Sequence, residues 1–359
     1  MKNLSSALAA VLVLAAPLAA VAQTALNAAS PRKLQPNEHL TNLPTATTFD
    51  APPAGFDAVS ASDEELAYHG FPPRPNQATE PKAYASWARA MEHSKTRLVP
   101  KLEQTAIYHG PAKINKNAPA PAGLQSNASL ATQPSNTLYS SNWSGYVDFS
   151  GATSYGSSSY YYTVNDFVVP RAQQRPGSCT GGWAYGSAWN GMDGWGSPDV
   201  LQAGIEFDAY CALGGLSKST YYSAWYEWYP YAEVRISNLP IVPGDDLFVE
   251  VWHTSPTQGY AYLVNHTTNQ SVTVGFTAYP GYPLRGNSAE WIVETPSVGG
   301  SLATMVDYTR DPFWDAYAYT EAYTFYDIAN GSPIDLQVGS SIVSYPEYLG
   351  IESFVAHYQ

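Results

Sequence analysis

Leu201-Gln202-Ala203-Gly204-Ile205-Glu206-Phe207 is the stretch that decides the fold class. Apolar residues take every second place. An extended chain therefore turns Leu201, Ala203, Ile205 and Phe207 to one face and Gln202 and Glu206 to the other. The period returns in Ala289-Glu290-Trp291-Ile292-Val293-Glu294, where Trp291 and Val293 oppose Glu290 and Glu294. It returns again in Ala224-Trp225-Tyr226-Glu227-Trp228, where Glu227 shares its face with Trp225. Each strand has one face bearing a carboxylate, and those faces carry no Lys or Arg. They are either ordinary solvated faces or the lining of one concave sheet. In the second case close carboxylates cannot all ionise, and some hold protons well above the reference Glu value of about 4.3.

Outward from these segments, further β-branched and aromatic runs at 160–169, 184–191, 222–228, 247–253, 261–265 and 271–278 alternate with Gly, Pro, Asn and Asp turns. No helical period competes after residue 139, so the reading is all-β, a sandwich. The chain of 359 residues, with 28 Tyr and 10 Trp, is long and apolar enough to bury a large core. With 17 Lys+Arg against 30 Asp+Glu the net charge is −13, which argues against nucleic acid as a partner. Two cysteines are too few for a disulfide-stapled mini-domain or a cysteine zinc site.

Residues 1–22 read as a secretory signal peptide. Lys2 supplies the charge, the apolar run 7–18 is short for a bilayer span, and Ala20-Val21-Ala22 is a small-x-small cleavage site. The expected location is secreted, extracellular or periplasmic, with no membrane contact once the signal is cut. An oxidising destination makes a Cys179–Cys211 disulfide the expected pairing. Composition then divides the rest. Residues 23–138 hold 10 basic and 9 acidic residues, and residues 139–359 hold 6 and 21. The first part reads as a propeptide. Its residues 23–78, rich in Pro, Ala and Thr, read as poorly ordered. Thr79-Glu80-Pro81 opens a helix over about 80–99, carried by Tyr84, Trp87, Ala88 and Met91 and stopped by Pro100. A Pro/Ala/Asn/Ser linker follows over 111–138.

The familiar catalytic sets are missing from the acidic part. It has His253, His266 and His357 in no Ser-His-Asp context, and no Gly-x-Ser-x-Gly, His-Glu-x-x-His, P-loop or Asp-Thr-Gly pair. The two histidines at 253 and 266 read as strand-end or turn residues, and neither a metal nor a cofactor is expected. Hydrolysis by carboxylates and amides is what remains.

Four segments together resemble the glutamic peptidases, the eqolisins. They are Ser141-Asn142-Trp143-Ser144-Gly145; Ala188-Trp189-Asn190-Gly191-Met192-Asp193-Gly194 with Leu201-Gln202-Ala203-Gly204; Ala224-Trp225-Tyr226-Glu227-Trp228-Tyr229-Pro230; and Ala289-Glu290-Trp291-Ile292-Val293-Glu294. The likeness is clear over 139–295 and vague beyond. It implies a β-sandwich of two large antiparallel sheets, concanavalin-like, and a secreted acid endopeptidase made with a removable leader, residues 139–359 being the catalytic domain. The family's catalytic Gln falls on Gln202 and its catalytic Glu on Glu294. Its supporting positions fall on Trp143, Trp189, Asp193, Glu206 and Glu227, and Trp225 is read either as core packing or as a wall of the substrate cleft. The sequence departs from the family pattern at Glu206 and Ser223, where the family example has Asp. Cys179 and Cys211 match none of the family's cysteines.

On this reading the partners are polypeptide substrates and the chain's own propeptide as an intramolecular inhibitor, and a monomer is expected. Residues 82–116 carry seven basic residues against Glu92 and Glu103 and should be drawn to the acidic domain until its carboxylates protonate. Two other readings compete. A carboxylate-pair glycoside hydrolase would use two carboxylates such as Glu227 and Glu294. A non-catalytic carbohydrate-binding module would need neither Gln202 nor Glu294.

Overall fold

The computed structural model describes residues 34–43, 45–116, 137–175, 177, 179, 181–215 and 217–359. The expected signal peptide, and residues 117–136 of the expected linker, lie outside the described residues.

Two antiparallel layers face each other. The first runs, in spatial order, Leu102–Gln104, Val234–Ile236, Lys218–Tyr229, Val200–Cys211, Ser187–Met192, Ser288–Glu294, Trp143–Phe149 and Ser332–Val338. The second runs Glu38–Leu40, Ala46–Phe49, Gln270–Thr277, Gln258–Asn265, Asp246–Ser255, Tyr160–Val168, Arg310–Thr320 and Ser353–Tyr358. Ser341–Gly350 pairs with the last strand of each, so one ladder bends continuously from layer to layer along that edge. The residues after 295, whose likeness to the family is vague in sequence, build this bend.

The alternation explains the core. Leu201, Ala203, Ile205, Phe207, Trp291 and Val293 point inward and meet Val249, Val251, Leu263 and Val274 of the second layer. Two polar inward groups are paired across the gap. Trp291 Nε1 donates to Val164 O at 2.8 Å, and Asn190 Nδ2 donates to Val249 O at 3.0 Å. Cys179 is disulfide-bonded to Cys211, with Cα atoms 5.7 Å apart.

The leader is built into both layers, and two expectations about it are corrected. Residues 34–78 are not a loose tail. Ala46–Phe49 extends the second layer by pairing with Gln270–Thr277. A short helix, α1 (Asp63–Tyr68), starts on a capping box in which Glu65 N donates to Ser62 Oγ at 3.2 Å and Ser62 N to Glu65 Oε2 at 2.8 Å. The second helix, α2 (Pro81–Glu92), stops at Glu92 rather than near 99. Tertiary pairing overrides the local helical pattern, because Thr96 and Arg97 join the edge of the sheet alongside Gln270 and Ser271. Helix α2 lays Ala83, Trp87, Ala90 and Met91 on Tyr162, Phe248, Tyr260 and Tyr317, on the outer side of the second layer. Arg89 projects from it to Asp166 and, at 2.8 Å, to Asp315.

Candidate active site

The outward face of the first layer carries most of the side chains expected from sequence to function. Its register sets Gln202 beside Glu227, Gly204 beside Trp225 and Glu206 beside Ser223. On the other flank Gly191 stands beside both Gln202 and Glu290, and Ser187 beside both Glu206 and Glu294. Trp189 lies between, paired with Ile292. Trp143 pairs with Glu294 on the neighbouring strand. Of the two readings of these faces, the structure gives the concave lining, but a covered one. Gln202, Glu206, Glu227 and Glu294 are all buried.

The cover is the leader itself. Ile107–Tyr108 pairs antiparallel with Ser297–Val298, and Glu233 N donates to Ile107 O at 3.0 Å. The next residue, His109, enters the middle of the site. Its backbone N–H donates to Glu227 Oε2 at 3.0 Å, and its carbonyl accepts from Gln202 Nε2 at 2.5 Å. Its ring lies on Trp225. Nε2 hydrogen-bonds Glu233 Oε2 at 3.2 Å and stands 2.9 Å from Glu206 Oε1. On the other side of the ring Nδ1 is 3.2 Å from Ser187 Oγ and 3.7 Å from Glu294 Oε2. Gly110 passes over Tyr229, and Ala112 N donates to Gly194 O at 3.1 Å. The first residues of the expected linker are therefore bound in the cleft.

Glu294 is held from two sides. Trp189 Nε1 donates to Oε2 at 3.0 Å and Asn142 Nδ2 to Oε1 at 3.2 Å. Asn142 also reaches the carbonyls of Gly110 and Pro111, at 3.4 and 3.3 Å, and accepts from Lys113 N at 2.7 Å. Trp143 meets Trp189 edge to face, with centroids 4.9 Å apart, and forms an apolar wall with Val200 and Ile292. Past Asn142 the groove opens into a cavity of about 640 Å³ lined by Lys113, Asn115, Ser141, Thr295, Met305 and Gln337.

Of the site residues named from sequence, all but Asp193 gather around the leader strand or the carboxylate of Glu294. Asp193 has a different job. Its backbone is left-handed, with φ 67°. Its carboxylate accepts from the backbone of Arg285, Gly286 and Asn287 at 2.7, 3.1 and 2.9 Å, which fixes the loop entering the Glu294 strand. Sequence reasoning missed His109, Asn142, Ser187 and Glu233. Asn142 sits inside the quoted Ser141-Asn142-Trp143 segment. His109 carried a weaker signal, a histidine just before Gly110-Pro111 at the end of the basic leader segment.

The electrostatics follow from burial. Desolvation raises Glu206, Glu227, Glu290 and Glu294 above the ordinary Glu value. For Glu294, the nearby His109 ring and the hydrogen bonds from Asn142 and Trp189 pull the other way. Asp208 lies behind Glu206 and is raised by burial and by that neighbour's charge. Burial alone would lower His109, but the surrounding carboxylates of Glu206, Glu233 and Glu294 more than offset it, and its pKa stands well above 6.5. The result is an imidazolium among carboxyl groups that share the remaining protons.

Among the described residues, two groups of side chains have ligand atoms close enough for a metal ion: His109, Glu206 and Glu233, and Asp166, Asp246 and His266. In the first, the separations of 2.9 and 3.2 Å are those of direct ion pairing with the ring N–H. In the second, Arg89 already supplies the cation to Asp166.

Residues 141–358 match the sequence model of the Peptidase A4 family. The chain belongs to that family, the eqolisin glutamic peptidases, and the match reaches well beyond residue 295, where sequence likeness alone was vague. It is 31% identical over 247 residues to aspergillopepsin-2 of Aspergillus niger, covering 65% of this chain and 83% of that protein. It is 34% identical over 227 residues to scytalidopepsin B of Scytalidium lignicola, covering 62% and 78%. A crystal structure of scytalido-glutamic peptidase with a transition state analog inhibitor shares the fold, with a TM-score of 0.50 at 24% identity over 61% of this chain and 98% of that one.

Proposed function

We propose that this chain is the precursor of a secreted acid endopeptidase in which Glu294 and Gln202 carry the chemistry and the leader silences the site. Residues 1–22 direct export, residues 23–138 form the propeptide and residues 139–359 the catalytic domain, which works as a monomer. The carboxylate of Glu294 takes a proton from water as it attacks the peptide carbonyl and returns it to the leaving nitrogen. Gln202 does not titrate, and its amide N–H donates to the developing oxyanion. Trp189 and Asn142 keep the Glu294 carboxylate aimed, and the reaction passes through no covalent enzyme intermediate.

The observation that carries this reading is the hydrogen bond from Gln202 Nε2 to the carbonyl of His109, next to a Glu294 held by two donors. A peptide of the chain's own leader lies where a substrate would. The test is casein digestion near pH ~3, where clustered carboxyls hold protons, by the full chain, Gln202→Ala and Glu294→Ala. Both variants should lose at least about 100-fold in rate while keeping wild-type circular dichroism. Undiminished digestion by Gln202→Ala would sink the mechanism.

A further inference from the structure

The side chain of His109 is sequestered more thoroughly than blocking a cleft requires. The backbone contacts of the leader strand, to Ser297–Val298, Glu233 and Glu227, accept any sequence. The ring contacts do not. It is completely buried on Trp225, with Ser187 and Glu294 on one edge and Glu206 and Glu233 on the other. Ionised carboxylates only accept, so Nε2 must carry a hydrogen. On the opposite edge Nδ1 faces a hydroxyl and a third carboxylate. An imidazolium, with an N–H at each end, satisfies both edges at once.

We propose that Trp225, Ser187, Glu206 and Glu233 form a specificity subsite for the side chain on the acyl side of the scissile bond. It selects an imidazolium, so His109–Gly110 is the bond of this chain presented for cutting. The inference rests on the roles given to Gln202 and Glu294. In the step, water oxygen bonds to the His109 carbonyl carbon while Glu294 accepts a water proton. The C–N bond to Gly110 then breaks and that proton passes to the Gly110 nitrogen. The products are a chain ending in the His109 carboxyl group and a chain starting at the Gly110 amine.

An apolar side chain in this subsite leaves two buried carboxyl groups without their donor, and an acidic one adds a like charge. The selection depends on pH through every group facing the ring. These are Glu206 with Asp208 behind it on one strand, Glu227 on the next, Glu233 on the turn after it, and Glu294 across the cleft. As they protonate, the preference for a cation fades.

The probes are quenched fluorescent peptides of the sequence Gln104 to Lys113 carrying His, Leu or Glu at the position of His109, cut by the full chain after acid exposure. At pH ~5 the His peptide should exceed the Leu peptide in kcat/KM by about 10- to 100-fold, the worth of a charge-assisted hydrogen bond, with the Glu peptide slowest. That ratio should shrink toward one as the pH falls and in Glu233→Gln. Sequencing of the acid-exposed chain should find a new terminus at Gly110, formed about tenfold more slowly or worse in His109→Leu. Equal rates for the His and Leu peptides, or a ratio that ignores both pH and Glu233→Gln, overturn the subsite. If casein digestion still depends on Gln202 in that event, the catalytic pair stands and the subsite alone falls. If Gln202→Ala digests casein normally, the catalytic pair falls first.

Discussion

The imidazole of His109 lies flat on the indole of Trp225, with ring centroids 3.9 Å apart and planes inclined by 6°. One ring belongs to the leader and the other to the catalytic sheet. A cation against an indole face is attracted by the ring quadrupole, more so when both are out of water. Replacing His109 by Gln keeps a donor but removes the charge and the stacked ring. The full-length His109→Gln chain should therefore cut added protein at pH ~5.5, near the midpoint between the Glu and His references, on the order of tenfold faster than wild type before any acid step. Equal latency in the two chains would show that the ring does not hold the leader.

The leader is fastened a second time through Arg89, on the far layer. Asp166 is fully buried; burial pushes its carboxyl well up while the Arg89 guanidinium pulls it back. In Arg89→Leu the buried Asp166 carboxyl loses that cation and is pushed up further, so keeping it buried costs more as pH rises and little in acid. Limited proteolysis of the leader should accelerate in this variant at pH ~7 and approach the wild-type rate at pH ~3, below the reference Asp value of about 3.9. High salt should affect this buried pair less than the exposed Lys82 of the Lys82–Glu352 pair.

Buried acids set the direction of stability with pH. Burial pushes Asp148 and Asp199 up to about 7 and Asp335 to about 6, and it also raises Glu227, Glu250, Glu290 and Asp311. Each folded value exceeds its unfolded one, so the folded chain binds more protons. The associated stability is complete below the unfolded values and is lost as pH climbs through the folded ones. Tm should fall by several degrees between pH ~4 and pH ~7.5, a window bounded below by the unfolded carboxyl values and above by the raised folded ones. A Tm that is flat or rising over that range contradicts the assignment.

Asp193 should matter for stability first and rate second. Asp193→Ala removes the acceptor of three backbone N–H groups and should cost about 2–4 kcal/mol, read by urea melts. Asp193→Asn tolerates the left-handed backbone and should cost less, least of all in acid, because burial already raises the Asp193 carboxyl. If Asp193→Ala melted like wild type but lost all activity, the residue would belong to the chemistry and not to the loop.

Gly191 tests how closely Gln202 must be placed. A methyl there would come 2.6 Å from Leu201 O and 2.9 Å from Gln202 Cβ, so the strand holding Gln202 must shift. Gly191→Ala should lower kcat by about 100-fold, comparable to losing an oxyanion donor, with a stability loss of about 1–3 kcal/mol by urea melt. A variant with full activity would mean that the Gln202 amide is not needed at that spot.

How much of this was legible in the sequence differs from residue to residue. Period two put Gln202, Glu206 and Glu294 opposite Leu201, Ile205 and Val293, and the layers obey it because a pleated strand leaves no other choice. The bending of the sheet, which lets Gln202 and Glu294 touch the same residue, depends on twist and long-range pairing that no local window carries. His109 was hard to read for a related reason. A single residue following a two-residue strand has no period, and net charge described its whole segment as merely basic. The helix was read too long because Thr96 and Arg97 pair with residues far along the chain. Residues 34–78 were read as loose because composition does not register that Ala46–Phe49 finds a partner strand.

The leader strands at Ala46–Phe49 and Leu102–Gln104 complete the ribbons begun by Gln270–Thr277 and Val234–Ile236. Scission at a single peptide bond near His109 unpairs neither of them. On the maturation proposed above, the first product would thus be a nicked two-chain body whose older half still seals two raw margins. Shedding that half bares rows of unbonded amides, so departure of the leader is a separate event from the cut, governed by its own affinity.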